Sequence, residues 1–335
     1  MSEPFRLDLP IRPRRNRKSA GVRGLVREHR LHPSQFVLPV FLHEDAQDHA
    51  IESMPGVTRW SPDGLIAEAG RAWNDGIRAM VLFPKIPDAL KTAGAEASYA
   101  DDGLVPRALR ALKAAHPDMV LITDVALDPY SSMGHDGLVG DDGRILNDAT
   151  IEVLCHQALC QARAGADIVA PSDMMDGRVG ALRAALDEAG FEDVSIMSYT
   201  AKYASAYYGP FRGALDSAPR GGDKKTYQMD PANGREALRE AMLDEAEGAD
   251  VLMVKPAGPY LDVLANLRRA SDLPLAAYQV SGEYLMIKSA AAAGWIDERA
   301  VVLESLTGIH RAGADVILTY FARDAARWIA EDSKS

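Results

Sequence analysis

The feature that most constrains the fold of this chain is the alternation of eight short apolar runs with helix-like stretches. The runs are nearly continuous in apolar residues, which is typical of parallel strands covered on both faces. The alternation therefore predicts a parallel sheet with helical crossovers. The predicted strands span residues 36–42, 79–84, 119–125, 167–173, 194–202, 250–256, 274–280 and 315–321. The predicted helices include residues 104–116, 148–164, 179–189, 235–247, 261–270 and 298–311.

A tripeptide repeat supports this pattern. Gly-Ala-Asp occurs at 165–167, 248–250 and 313–315, each time between a helix-like stretch and an apolar run. A glycine suits the left-handed end of a helix, so each copy predicts a tight turn into the next strand. Eight strand–helix units in 335 residues predict an α/β protein with the (β/α)8 TIM barrel fold. A doubly wound sheet is the alternative, but the glycine-rich phosphate loops expected of it do not occur.

Charge divides the chain into an arm and a body. Residues 1–30 hold nine basic and three acidic side chains, a net charge of +6, which leaves −17 for the other 305 residues. We therefore expect an N-terminal arm (1–34) ahead of the barrel (35–335). The acidic body argues against a nucleic-acid-binding protein, and no apolar run is long enough to span a membrane. Two cysteines and no apolar signal run predict a cytoplasmic protein.

The ends of the predicted strands indicate where the chemistry lies, because catalytic groups in such barrels follow the strands. Lys202 and Lys255 each end an apolar run. Desolvation and a nearby ammonium lower the pKa of a lysine, so that its neutral amine can form a Schiff base with a ketone. This spacing does not separate an aldolase from a dehydratase. The other polar residues at strand ends are Asp124, Ser172, Asp173, Ser281 and Tyr320.

Two connections carry further candidate residues. Residues 203–234, the lid segment, are rich in Gly, Pro and basic residues such as Arg212 and Lys224. They predict a lid whose cations bind a substrate carboxylate, and a solvated surface loop is the alternative. The segment 123–137 contains Asp124, Asp128 and Asp136, whose oxygens could hold magnesium or could cap backbone amides in a turn-rich loop.

Six longer motifs resemble a known family. They are APSDMMDGR (170–178), MSYTAKYASAYYGPFR (197–212), KTYQM (225–229), LMVKPAGPYLD (252–262), YQVSGEY (278–284) and ILTY (317–320). From about Arg12 onward the chain resembles the porphobilinogen synthase (5-aminolevulinate dehydratase) family. The resemblance implies a homo-oligomeric TIM-barrel lyase, octameric or hexameric. Its N-terminal arm would contact the acidic body of a neighbouring subunit.

The resemblance also implies a reaction and its residues. Two molecules of 5-aminolevulinate would condense to porphobilinogen, with loss of two waters, in tetrapyrrole biosynthesis. Lys255 matches the Schiff-base lysine of the propionate-side substrate, and Lys202 that of the acetate side. An aldolase-like lyase, which needs one such lysine and usually a phosphate site, is the alternative enzyme. Residues that match carboxylate-binding groups are Arg212 and Lys224 (acetate side) and Ser281 and Tyr320 (propionate side). Ser172 and Asp173 match positions beside the reacting amine, and Tyr199 a wall of the pocket.

The aspartate segment departs from the zinc-dependent members of that family. Three cysteines of those members correspond here to Ala126, Asp128 and Asp136. Zinc is selected by thiolates, so no catalytic zinc is expected, and the aspartates are expected to line the substrate site. The chain resembles the aspartate-rich branch, in which Lys224 replaces an arginine. Glu240 matches the glutamate of an allosteric magnesium site, although some members need no metal at all.

Overall fold

The computed structural model describes residues 7–215 and 221–333, and internal contacts divide the chain into two units, Met1–Arg30 and Leu31–Ser335. Within the first unit lie a 3-10 turn at Pro13–Arg17 and a short helix, α1, at Ala20–Leu25. Ser19 begins α1, because its side-chain oxygen accepts a hydrogen bond from the backbone N–H of Val22. The boundary between the units lies four residues before the predicted one at 34/35.

Eight parallel strands form a closed barrel in the second unit. The last strand pairs with the first, with Phe36 opposite Ile317 and Val37 opposite Leu318. The predicted TIM barrel is therefore confirmed. The strands of this unit are β1 (Phe36–Leu42), β2 (His49–Ala50), β3 (Thr58–Trp60), β4 (Ala79–Pro84), β5 (Val120–Val125), β6 (Ile168–Pro171), β7 (Ser195–Lys202), β8 (Val251–Lys255), β9 (Leu275–Gln279) and β10 (Val316–Thr319). All except β2 and β3 belong to the barrel.

Helices follow the barrel strands in sequence order, and one of them (Gly209–Leu215) belongs to the lid segment at the rim. They are α2 (Pro62–Asn74), α3 (Leu104–Ala115), α4 (Asn147–Arg163), α5 (Arg178–Glu188), α6 (Gly209–Leu215), α7 (Arg235–Ala246), α8 (Leu261–Ala270), α9 (Ser281–Ala292), α10 (Glu298–Ala312) and α11 (Ala322–Asp332). Of these, α2, α6, α9 and α11 lie outside the predicted set. In the described parts of the chain, no helix combines the length and the hydropathy that a membrane span requires.

Several predicted strands end earlier in the structure. The strand predicted to reach Asp173 ends at Pro171, because the Asp173 carboxylate turns back to accept a hydrogen bond (2.7 Å) from the Met175 N–H. The last strand ends at Thr319, one residue before Tyr320. Ser281, read from the sequence as a strand end, is the first residue of α9.

The Gly-Ala-Asp repeat joins a helix to the next strand three times. Its glycines have φ values of +104°, +100° and +125°, which favour glycine because they would strain other residues. Each aspartate carboxylate accepts a hydrogen bond from a backbone N–H of the preceding barrel strand. The pairs are Asp167 with Leu121 (2.7 Å), Asp250 with Ile196 (2.7 Å) and Asp315 with Leu275 (2.9 Å). The repeat therefore links neighbouring strands at the end of the barrel where the strands begin, opposite the rim that carries Lys202 and Lys255.

Candidate active site

The two candidate lysines lie side by side. Lys202 is the last residue of β7, Lys255 is the last residue of β8, and the two are paired in the parallel ladder. Only 5% of Lys202 and 7% of Lys255 is exposed. The structure thus brings two buried amines to the same rim of the barrel, where the ends of its parallel strands meet.

A register shift in β7 determines the side of the strand on which its side chains lie. In a regular strand, residues 199 and 202 would face opposite sides, because side chains alternate. The register between β7 and β8 shifts between Ser198 and Ala201. As a result, the Tyr199 ring lies 6.0 Å from the Nζ of Lys202, while the Ser198 hydroxyl faces outward and donates to Asp244 on α7 (2.6 Å). The shift therefore places both Tyr199 and Lys202 on the inner side of the strand.

Lys202 belongs to a buried ion-pair network centred on Asp136. Its Nζ donates to the Oδ2 of Asp136 (3.0 Å) and to the carbonyl oxygen of Ser172. Lys224 donates to the Oδ1 of the same carboxylate (2.7 Å), and the Gln228 amide donates to its Oδ2 (3.3 Å). Burial would raise the pKa of Asp136, but the two ammonium groups hold that pKa well below its usual range. Asp136 therefore stays ionised and holds Lys202 and Lys224 in place.

Lys255 lies in an aromatic environment instead. Four ring centroids lie 4.8–5.2 Å from its Nζ, those of Tyr199, Tyr208, Phe211 and Tyr278. Burial lowers the pKa of Lys255 to about 7, and the ammonium of Lys202 acts in the same direction. A large share of this amine is consequently neutral near pH 7, which makes it a nucleophile.

Two carboxyl groups near the lysines are also perturbed. Burial and the charge of Asp128 raise the pKa of Asp124 to about 6, and burial raises that of Asp173 to about 6. Within the described part of the chain, the Oδ1 of Asp124, the Oδ2 of Asp173 and the hydroxyl of Tyr199 have no hydrogen-bond partner. Buried polar atoms without partners are costly and are concentrated at functional sites. These groups are thus suited to hydrogen-bonding a ligand and to exchanging protons with it.

A small cavity joins these groups. Its free volume is about 30 Å³, which is room for a water molecule or two. Asp124, Asp128, Asp136, Ser172, Lys202 and Lys255 line it from the barrel side. The lid segment supplies Tyr208, Phe211, Lys224 and Gln228. Side chains of the barrel rim and of the lid segment therefore meet at this cavity.

The remaining predicted residues are distributed around the cavity. The Ser281 hydroxyl accepts a hydrogen bond from the Phe211 N–H (3.0 Å), and the hydroxyls of Tyr320 and Tyr278 are 2.9 Å apart. Ser281 and Tyr320 therefore adjoin the rings that surround Lys255. The backbone of Arg212 lies in α6, but its side chain falls outside the described residues.

The positions relevant to metals carry other partners. Ala126 offers a buried methyl group, and the Lys224 ammonium lies 3.5 Å from the Asp128 carboxylate. Glu240 lies on α7 and lines a separate cavity of about 520 Å³ that Asp176 and Glu236 also line. Burial raises the pKa of Glu240.

Of the residues that the structure describes, the side chains that could jointly bind a metal are His43, Asp45 and His49, between β1 and β3. This group was not predicted, because its members are spread over a connection without a recognisable ligand spacing. Its imidazoles and carboxylate contact one another, with 3.2 Å between the His43 Nδ1 and the Asp45 carboxylate.

Some residues of the cavity and of the ring cluster around Lys255 were missed by the sequence prediction. Phe83 and Tyr278 lie inside apolar runs, where their type does not distinguish an active-site wall from core. Gln228 follows the lid lysines and gave no signal beyond its place in the KTYQM motif. Tyr208 and Phe211 lie within the motif of residues 197–212, but nothing in the sequence assigned them a place in the site.

A family model described as "Delta-aminolevulinic acid dehydratase" matches residues 10–328. The chain belongs to the delta-aminolevulinic acid dehydratase family. It is 62% identical over 328 residues to the chloroplastic enzyme of Physcomitrium patens, covering 97% of this chain and 76% of the relative. It is 60% identical to the enzyme of Glycine max, covering 98% of this chain and 80% of the relative.

A solved structure agrees with this family. The delta-aminolevulinic acid dehydratase (porphobilinogen synthase) of Toxoplasma gondii, in complex with the reaction product porphobilinogen, superposes with a TM-score of 0.97. It is 57% identical, and the match covers 98% of this chain and 94% of that one. The protein is therefore a lyase that makes porphobilinogen from 5-aminolevulinate in tetrapyrrole biosynthesis. The predicted activity is confirmed, and the aldolase alternative is excluded.

The predicted cytoplasmic location is wrong. The curated relatives named above carry the designation chloroplastic, which points to the plastid. A low number of cysteines is common to proteins of reducing compartments, so it does not separate the cytoplasm from a plastid.

Proposed function

We propose that Lys255 and Lys202 form Schiff bases with the two molecules of 5-aminolevulinate that are condensed at one site. The proposal rests on one observation: two buried amines end adjacent strands, and among the described residues an ion pair holds Lys202 but not Lys255. Lys255 is rich in neutral amine at neutral pH and attacks the first ketone. The carbinolamine that forms loses water to give the imine.

Lys202, whose Nζ donates to the Asp136 carboxylate, attacks the second ketone as a neutral amine. Asp124 and Asp173, whose pKa is about 6, supply and accept protons beside the two imines. Lys224, together with Arg212, binds the acetate-side carboxylate. Ser281 and Tyr320 bind the propionate-side carboxylate in exchange for their present partners. Both substrates are thereby fixed in register, so that the condensation becomes effectively intramolecular.

Borohydride trapping with 5-aminolevulinate, followed by peptide mass analysis, tests this assignment. We expect reduced adducts on Lys202 and Lys255. Lys225 is the matched control, because it belongs to the lid segment but its side chain is 74% exposed. Adducts on Lys225 alone, or on no lysine, would contradict the proposed roles.

We also propose that catalysis needs no zinc. The alanine and two aspartates at the positions of the zinc-binding cysteines form a poor set of zinc ligands, and the carboxylates of Asp128 and Asp136 are engaged by lysines. Activity is therefore expected to survive a zinc-selective chelator. Rapid loss that added zinc restores would overturn this proposal.

Magnesium is proposed as an activator at Glu240 rather than as a catalyst. Glu240, Asp176 and Glu236 line one cavity, and a few carboxylates with water suit this hard cation. Magnesium should raise the activity of EDTA-treated wild-type protein but not that of Glu240→Gln. If EDTA leaves wild-type activity and assembly unchanged, the enzyme needs no metal at all.

A homo-oligomer, octameric or hexameric, is the proposed assembly. The N-terminal unit carries the excess of basic residues and exposes Leu9, Ile11, Leu25 and Val26, whereas the rest of the chain is acidic. A second copy of this chain would supply the complementary surface. Deletion of residues 1–30 should reduce the mass measured by light scattering, and an unchanged mass would exclude the arm as a subunit contact.

A further inference from the structure

The connection between β1 and α2 contacts both ends of the lid helix α6. This connection comprises residues 43–60. Near the start of α6, the Ser53 hydroxyl donates to the carbonyl oxygen of Pro210 (3.0 Å). At its end, the Nε of Arg59 donates to the carbonyl oxygen of Ala214 (3.2 Å), and the Nη2 donates to the same atom. The last carbonyls of a helix lack partners within the helix, so the guanidinium completes this end of α6.

Arg59 is itself held in place by the barrel. It lies in β3, opposite Phe41 of β1 in the parallel ladder. The His43 N–H donates to the carbonyl oxygen of the next residue, Trp60 (3.1 Å). The backbone beneath the guanidinium is therefore fixed relative to the strand ends. A planar guanidinium also loses little freedom per hydrogen bond.

The lid helix α6 carries Phe211, one of the aromatic residues that surround Lys255. The Phe211 ring lies 5.2 Å from the Nζ of Lys255, and it contacts the rings of Phe41 and Phe83 at centroid distances of 5.5 and 5.2 Å. Its backbone N–H is bound by Ser281 on the opposite side. Displacement of α6 would therefore open Lys255 to water.

We propose that Arg59 is a positioning residue of the enzyme, which holds the end of α6 and so keeps Phe211 over Lys255 and water away from its amine. This inference rests on the proposed role of Lys255. Arg59 touches neither lysine. It acts through α6, because its hydrogen bonds to the carbonyl oxygen of Ala214 hold the end of that helix.

The charges that act most strongly on Lys255 lie on other elements. They are Lys202 on β7, Asp124 on β5, and Asp128 and Asp136 in the aspartate segment. Tyr199, Tyr208 and Tyr278 are the titratable rings around the amine. Loss of Arg59 is therefore expected to change the hydration of Lys255 rather than one of its main charge partners. Hydration raises the pKa of a buried amine toward its ordinary value.

The pH dependence of kcat/KM tests the proposal. In Arg59→Ala, the acid limb should move to higher pH by about one unit, which is a roughly tenfold lower kcat/KM at pH 6. Phe211→Ala should produce a similar shift, and the double variant should shift no further, because both changes remove the same shield. Arg78→Ala is the matched control: Arg78 also donates to two backbone carbonyls, those of Trp73 and Ile77, but these lie far along the chain from α6.

An unshifted acid limb in folded Arg59→Ala, or additive shifts in the double variant, would overturn the proposal. If Arg59→Ala does not fold, Arg59→Lys takes its place in the cycle, since it keeps the charge but offers one donor group. Failure of the proposed function is separable from this result. In that case wild-type protein would give no borohydride adduct on Lys255, whereas the present proposal predicts that adduct in wild type and, at alkaline pH, in Arg59→Ala.

Discussion

Lys202 and Lys255 are lysines at the ends of adjacent strands, yet the groups around their amines differ in charge and polarity. Lys202 is paired with a carboxylate that is held ionised, whereas Lys255 is surrounded by aromatic rings. The difference arises from the connections, because Asp136 follows β5 and Phe211 belongs to the lid segment. Two chemically distinct amines are what an asymmetric condensation of identical substrates requires.

Substitution of Lys255 is the most direct test at the residue scale. Lys255→Ala should abolish porphobilinogen formation, because the variant lacks the buried amine that attacks the first ketone. Lys225→Ala should retain activity close to wild type. The measurement is the rate of product formation at saturating 5-aminolevulinate. Turnover near wild type in Lys255→Ala would exclude this residue as the essential amine.

The wild-type pH profile follows from the same amine. Because the pKa of Lys255 is lowered to about 7 and only the neutral form attacks, kcat/KM should fall on the acid side with an apparent pKa of about 7. The sign is that of a base: activity is lost as pH decreases. An acid limb near pH 4, the range of an ordinary carboxyl group, would mean that a different group controls the reaction.

At the scale of elements, β7 is supported from behind by a buried network. Arg178 on α5 donates to both carboxylate oxygens of Asp244 on α7 (2.7 and 3.3 Å), and the Ser198 hydroxyl of β7 donates to the same carboxylate. These side chains are almost completely buried. The network ties two outer helices to the strand that carries Lys202.

Asp244→Ala should therefore reduce the free energy of unfolding by about 3–5 kcal/mol, since it leaves the Arg178 guanidinium buried without its partner. Asp187→Ala is the control. It removes an ion pair with Arg183 in which half of the aspartate side chain is exposed, and it should stay close to wild type. Denaturant titration of both variants measures the difference. Equal effects in the two variants would show that the buried network does not stabilise the fold.

The close approach of α9 to the lid segment gives another test. A Cβ atom on Gly282 would lie 2.5 Å from the carbonyl oxygen of Tyr207 and 2.9 Å from its Cα, so a side chain there must displace the backbone. Tyr208, the next residue, donates its hydroxyl to the carbonyl oxygen of Lys255 (3.3 Å). Gly282→Ala should raise KM for 5-aminolevulinate. Gly308→Ala on α10 is the control, because an added Cβ there would come no closer than 3.7 Å to its nearest neighbour, the Arg311 Nη2, and it should leave KM unchanged.

At the scale of the whole molecule, the periodic features were predictable and the long-range contacts were not. Apolar runs marked the barrel strands to within a few residues, and the order of the strands placed both lysines on one rim. The pairing of Lys224 with Asp136 joins two connections that lie 88 residues apart. No local pattern encodes such a contact. Tyr278, one of the rings around Lys255, was missed for a similar reason, since an inward-facing aromatic residue in a strand resembles a core residue.

The uneven charge of the chain also leads to an expectation for the intact protein. If the basic arm binds the acidic body of a second copy, the assembly should weaken as salt is added, because the screening length falls from ~10 Å at 0.1 M to ~3 Å at 1 M. Sedimentation velocity at both concentrations measures this. A mass that does not change with salt would indicate that apolar residues such as Leu25 dominate the contact.

The register shift in β7 makes the length of that strand as important as its composition. Deleting Thr200 would remove the extra residue of β7 and restore regular alternation with β8. Tyr199 and Lys202 would then be two positions apart and would still face the same side of the strand. Restoring regular pairing without a deletion would instead turn either the Tyr199 ring or the Lys202 amine toward the helices. A survey of natural variants should accordingly find this strand either with the extra residue and its register shift, or one residue shorter and without the shift. For this rim of the barrel, length and register are inherited together.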